Sequence, residues 1–230
     1  MQDLLILHGA IGSKAQFLPL TKALKGKFNI HTLNFNGHGG EPTGTFSIEQ
    51  FAKEVLDYLD ANGLAKISVF GYSMGGYVAL YLEKMHPQRI SGIFTLATKF
   101  LWTPEIAQRE IKMLNAEKIA EKIPAFASEL EKRHQPNDWK NVLQQTAAMM
   151  VSLGDSNPLE LEDFKNIAIP VRLAIGDKDM MVTLEETIEI YRNLPNATFA
   201  VFPGTPHPIE KVNVQRLANE IELFFSPKQS

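Results

Sequence analysis

The chain has 230 residues, 44% hydrophobic and 21% charged, a balance that fits a single globular domain and excludes a disordered one. A formal net charge of −3 removes any general electrostatic reason to expect nucleic acid or an anionic membrane as partner. The absence of cysteine excludes disulfides, thiolate metal ligands and a cysteine nucleophile.

The start, Met1-Gln2-Asp3, is not basic, and the apolar run Leu4–Leu7 is too short for a signal-peptide core. No stretch approaches membrane-spanning length, so a cytoplasmic protein without membrane insertion is expected. Leu4–Leu7 reads as the first strand and leads into His8-Gly9-Ala10-Ile11-Gly12-Ser13. Asn29–Phe35 reads as the second. Ser47-Ile48-Glu49-Gln50 then reads as a capping box opening a helix with Phe51, Val55 and Leu59 on one face and Asn62-Gly63 as its stop. The third strand, Ile67–Phe70, runs into Gly71-Tyr72-Ser73-Met74-Gly75-Gly76 and a helical pattern of Val78, Leu82 and Met85. Ile90–Leu96 is the fourth strand.

From about Lys99 to Ala168 the chain then makes an excursion much longer than a crossover needs. Ile119, Ile123, Phe126 and Leu130 follow helical spacing around Pro124. Trp139, Val142, Leu143, Thr146, Met149 and Met150 do so again further on. Val171–Ile175 and Ala197–Phe202 are the fifth and sixth strands, and Val214, Leu217, Ile221 and Phe224 mark a last core-facing helix. Near-continuous apolar strands suit a parallel sheet covered on both faces. Right-handed crossovers then give a doubly wound α/β sandwich of about six mostly parallel strands. Because the excursion leaves the carboxyl end of a strand, where open sheets bind ligands, it is expected to be a helical lid over 99–168. The core then comprises 1–98 and 169–230. A plain extra helical layer is the alternative.

The chemistry centres on Ser73. A serine on a sharp strand-to-helix turn is accessible only if its neighbours are very small, and Gly71 and Gly75 meet that need. A serine hydroxyl requires a base to accept its proton and a third group to orient that base. His207, in Pro206-His207-Pro208 after the sixth strand, is the candidate base, held in a stiff loop. Asp177 and Asp179, after the fifth strand, are the candidate acids. The backbone N–H groups of Ala10 and Met74 are candidate oxyanion donors. His8 reads as structural, and His31, His38, His86 and His134 sit poorly for catalysis. None of these histidines has metal-ligand spacing, so no metal is expected.

Taken in order, these motifs resemble the α/β-hydrolase superfamily in its serine-nucleophile, esterase-like branch. The resemblance spans His8–Ser13, Gly37-His38-Gly39, the Gly71–Gly75 elbow, G-x-x-D-x-x-V at Gly176–Val182, and His207 followed by Glu210. It implies Ser73 as nucleophile, His207 as base and Asp179 as orienting acid, since only Asp179 stands three after a glycine and three before a valine. It implies no cofactor and a small-molecule substrate, and leaves oligomeric state open. Against the family pattern, the usual N-terminal edge strands are missing, Asn34 replaces a common aspartate, and Thr205-Pro206 precedes the histidine.

The expected activity is cleavage of a small or medium ester or thioester through an acyl-enzyme. The serine argues against dehalogenases and epoxide hydrolases of this fold, which use aspartate. C–C bond hydrolysis or lysis of a carboxylate-bearing substrate is the alternative, and a non-catalytic binding module the distant one. The alternative calls for an arginine in the pocket; Arg109 and Arg133 lie in the expected lid and could serve, though surface exposure is expected for both. Phe100, Trp102, Met149 and Met150, with Leu101, are pocket candidates whose commoner role is plain core.

Overall fold

The computed structural model describes residues 1–226, and its six strands form one parallel sheet. They are β1 (Gln2–Leu7), β2 (Phe28–Thr32), β3 (Ile67–Tyr72), β4 (Ile90–Leu96), β5 (Val171–Gly176) and β6 (Ala197–Phe202). In space they run β2-β1-β3-β4-β5-β6. The chain moves outward from β1 to β2, then crosses back to β3 on the other side of β1. That reversal opens a crevice at the carboxyl ends of β1 and β3, the place where such sheets hold ligands.

Strand alternation sorts the core into two faces. Leu4 and Ile6 of β1 share a cluster with Phe70, Phe94 and Phe202, covered by α1 (Leu18–Ala23) and α10 (Val214–Phe225). Leu5 and Leu7 join Val69, Ile93 and Leu173 on the opposite face. There α2 (Ile48–Ala61), α3 (Met74–Met85) and α9 (Leu184–Asn193) contribute Phe51, Val78 and Ile190.

Between β4 and β5 lie α4 (Pro104–Glu110), α5 (Ala116–Lys122), α6 (Pro124–His134), α7 (Trp139–Asp155) and α8 (Leu161–Phe164). Pro124 opens α6 as its first residue, so the helical pattern around it is carried by two helices, α5 and α6. Ile119, Leu130, Trp139 and Leu143 make a small core of their own. Val142, Met149 and Leu153 of α7 belong to the main core, so α7 packs on both sides.

Local details differ from the sequence expectation in three places. β2 ends at Thr32, and the Phe35 N–H goes to the His8 imidazole instead of a neighbouring strand. Ser47 caps α2 by accepting from Gln50 N at 3.1 Å, but the Gln50 side chain turns forward to Glu54 rather than back to the cap. Only half of the capping box therefore forms. Met85 ends α3 and is 51% exposed, not core.

Candidate active site

Ser73 sits between β3 and α3 at φ 51° and ψ −119°, a conformation that costs a non-glycine residue about 1–3 kcal/mol. The turn survives because its neighbours lack side chains. A Cβ on Gly71 would stand 2.5 Å from Gly76 Cα, and one on Gly75 would stand 2.5 Å from the Leu7 carbonyl oxygen. The strained peptide is held on both sides: Ser73 N donates to Leu96 O at 2.8 Å, and Thr98 Oγ1 donates to Ser73 O at 3.0 Å. Met74 opens α3, where the first N–H groups have no intrahelical acceptor and the dipole favours negative charge.

The loops after β5 and β6 are laced together. Asp179, whose side chain is 1% exposed, accepts from His207 Nδ1 through Oδ2 at 2.8 Å. Its Oδ1 accepts from the N–H groups of Met181 and Val182 at 2.8 and 2.9 Å, which fixes the carboxylate plane. Asp177 does different work: it accepts from Thr205 N at 3.3 Å and ties the two loops. Nδ1 is thus occupied, leaving Nε2 as the imidazole nitrogen available in the cavity that His207 shares with Ser73. Tyr72, whose part no sequence pattern signals, donates its hydroxyl to His207 O at 2.9 Å. Burial pushes the Tyr72 phenol well above its ordinary pKa, keeping it a proton donor.

The cavity is narrow, about 40 Å³, well below the ~300–1,000 Å³ of a typical ligand site. Ala10, Ser73, Met74 and His207 are among its lining residues. Trp102, Met149, Met150, Leu153 and Tyr77 supply apolar walls. Of the pocket residues expected from the sequence, Trp102, Met149 and Met150 are brought to the cavity and Phe100 is not. Phe100 packs instead against Tyr77 and Phe164, and its N–H donates to Glu186. Leu101 is exposed and also lies outside the lining.

Lys99 lines the cavity without having been expected there from the sequence. It is buried, donates to Met181 O at 2.9 Å, and has the Glu186 and Glu110 carboxylates at 3.5 and 3.9 Å. The signal available was a lone lysine in the otherwise uncharged run Leu96–Leu101 at a strand end. The Trp102 indole N–H is buried without a hydrogen-bond partner among the described residues. The arginines of the segment between β4 and β5 lie elsewhere. Arg109 is 65% exposed and pairs with Glu110. Arg133 departs from the expected exposure at 13%, but its guanidinium binds Ile11 O and Glu210 and does not line the cavity.

Three histidines scattered in sequence meet behind the first loop. His8 and His38 have ring centroids 5.1 Å apart, and His38 and His134 5.7 Å. Both nitrogens of His8 are engaged, Nδ1 donating to Gly9 O and Nε2 accepting from Phe35 N. His38 donates to Asn36 O and leaves Nε2 buried without a partner among the described residues. His134 bridges Ile11 O and Gly39 N. Burial lowers the pKa of His38 and of His134 to about 4 and that of His8 well below its ordinary value. Among the described residues no group of three or more histidine, aspartate or glutamate side chains is arranged to hold a metal ion. No helix there is long and apolar enough to cross a membrane.

A parallel sheet with a strained serine turn at its switch point, and a histidine–aspartate pair whose histidine lines the same cavity, fits a hydrolytic enzyme of the α/β type. The family model for the alpha/beta hydrolase fold matches residues 4–121, and the chain belongs to that family. It is 22% identical to a pimeloyl-[acyl-carrier protein] methyl ester esterase of Aliivibrio salmonicida, over 98% of this chain and 93% of the relative. Among solved structures it is similar to a thermophilic esterase from Thermogutta terrifontis, with a TM-score of 0.76, 21% identity, and 97% and 89% of the two chains covered. It is also similar to the enol-lactonase of Burkholderia xenovorans, with a TM-score of 0.79 at 19% identity over 98% and 92%.

Proposed function

We propose that the enzyme hydrolyses a carboxylic ester or thioester of small or medium size through an acyl-enzyme on Ser73. His207 takes the serine proton as Ser73 attacks the carbonyl carbon. The Ala10 and Met74 N–H groups stabilise the resulting oxyanion. His207 then gives that proton to the leaving oxygen or sulfur, and the bond to the acyl carbon breaks. A water deprotonated by His207 attacks the acyl-enzyme, Ser73 is released with its proton restored, and the acid departs. Asp179 holds His207 in the Nδ1–H tautomer and stabilises the imidazolium that forms.

One observation carries the reading: the 2.8 Å His207–Asp179 pair opens onto the same apolar cavity as Ser73, Ala10 and Met74. The cavity walls from Trp102, Met149 and Met150 support residues 99–168 acting as a lid over an apolar acyl group. The printed name of the Aliivibrio relative, a methyl ester esterase, supports ester chemistry. No arginine lines the cavity, and Lys99, which does, is already engaged by Met181 O and the Glu186 and Glu110 carboxylates, so the ester reading is favoured over the C–C one.

Wild-type protein and Ser73→Ala are to be assayed on p-nitrophenyl esters of graded chain length, with fluorophosphonate labelling alongside. Turnover and labelling that both vanish in the variant are expected. Full turnover in Ser73→Ala would sink the proposal.

A further inference from the structure

The residues behind the first loop make up a device that the proposed chemistry does not by itself require. Ile11, directly after Ala10, has φ 52°, a region that a β-branched side chain rarely enters. Something must hold it there. Its carbonyl accepts two hydrogen bonds, from Arg133 Nη1 at 3.1 Å and from His134 Nε2 at 3.0 Å, both at the carboxyl end of α6.

Each of those side chains is itself anchored. His134 Nδ1 accepts from Gly39 N at 3.2 Å. Arg133 Nη2 reaches Glu210 Oε1 at 3.3 Å, in the short helical turn that follows His207. The same Glu210 oxygen accepts from Gln16 Nε2 at 2.6 Å, just beyond the first loop. Arg133 therefore joins three segments: the loop carrying Ala10, the turn after His207, and α6. None of Ile11, Arg133, His134 or Glu210 lines the cavity, so they act from behind it.

We infer that Arg133 and His134 are positioning residues, which hold the Ala10 N–H at its oxyanion position by fixing the Ile11 carbonyl. The Ile11 carbonyl shares its peptide plane with the Gly12 N–H, which donates to Gly9 O at 3.1 Å, and Gly9 O shares its plane with the Ala10 N–H, so freeing the Ile11 carbonyl loosens the plane that carries the donor. An oxyanion donor works because it is preorganised where charge develops; a donor free to move loses that advantage while substrate still binds. The inserted segment thus has a role in turnover separate from covering the cavity. The inference rests on the proposed serine chemistry, with Ala10 as donor.

The test uses the full chain and an ester that the wild type cleaves. Arg133→Met and His134→Gln are compared with wild type for kcat, KM, inhibition by an aryl boronic acid, and thermal midpoint. Arg133→Lys is the conservative control. Arg133→Met is expected to lower kcat by about 10- to 100-fold, below the ~10²–10³-fold loss on deleting an oxyanion donor outright. KM should stay within about threefold, and boronate affinity should fall in parallel with kcat, since both report the tetrahedral oxyanion. Arg133→Lys, which keeps a donor for Ile11 O, should recover part of both. A merely structural role would lower the thermal midpoint and leave kcat per folded molecule and boronate affinity unchanged.

Should Arg133→Met not fold, His134→Gln carries the same readouts, its amide keeping a donor and an acceptor with altered reach. Values of kcat and boronate affinity within about twofold of wild type, with Ser73→Ala inactive, overturn the inference and leave the hydrolase reading standing. Turnover surviving in Ser73→Ala overturns both.

Discussion

The three buried histidines set the acid limit of this fold. His8, His38 and His134 are held neutral, chiefly because burial penalises the charged ring. A group whose pKa is depressed by folding is protonated more readily in the unfolded chain. Acid therefore pulls the equilibrium toward unfolding, starting as pH falls through the ordinary histidine value of 6.5 and levelling off near the folded value. For His38, which titrates at about 4 when folded, the loss is ~2 kcal/mol by pH 5 and ~3 kcal/mol by pH 4. His38 and His134, both at about 4 when folded, together lose ~4 kcal/mol between pH 7 and 5, a large share of the about 5–15 kcal/mol that holds a typical domain folded, and His8 acts in the same direction. Urea unfolding at pH 7, 6 and 5, followed by far-UV circular dichroism, measures the loss directly. His38→Gln removes one titrating ring, so its loss over the same range should be smaller by ~2 kcal/mol whatever its stability at pH 7. A wild-type loss under ~2 kcal/mol, or an unchanged slope in His38→Gln, would refute the argument that these rings stay neutral in the fold.

Other perturbations read other parts of the site. Asp179→Asn removes the acceptor that holds the His207 tautomer and should lower kcat by ~10³–10⁴-fold with little change in thermal midpoint, as steady-state kinetics and calorimetry would show. Tyr72→Phe loses the 2.9 Å bond to His207 O; an equilibrium loss of about 0.5–1.5 kcal/mol and a measurable fall in kcat are expected, from denaturant titration and ester assay. Lys99→Met leaves the buried Glu186 and Glu110 carboxylates without their central cation. It should cost ~3–5 kcal/mol, partly restored by adding Glu186→Gln, which a double-mutant cycle would resolve.

What the sequence made legible were features with local causes. Six apolar runs became six strands because a strand buried on both faces needs little beyond continuous hydrophobicity. Gly71 and Gly75 could be read as elbow residues because a close backbone approach excludes any other side chain, a constraint visible without coordinates. The acid was less legible: Asp177 and Asp179 both follow β5, and residue chemistry alone did not separate them. In the fold only Asp179 bonds His207, while Asp177 is spent on Thr205 N. Phe100 and Trp102 carry the same apolar signal two residues apart, yet one packs against Phe164 and the other faces the cavity, because chain direction after β4 decides it. Lys99, Arg133 and the histidine trio were illegible for a stronger reason. Each takes its meaning from partners roughly 30 to 130 positions away, such as Arg133 with Ile11 and Lys99 with Glu186, and no local window contains both members of such a pair. Arg133 looked like surface because arginine is costly to bury alone, and it is half-buried here because Ile11 O and Glu210 accept its hydrogen bonds. Polar side chains that serve tertiary contacts are therefore where sequence patterns carry least, and in this protein those side chains gather directly behind the candidate catalytic groups.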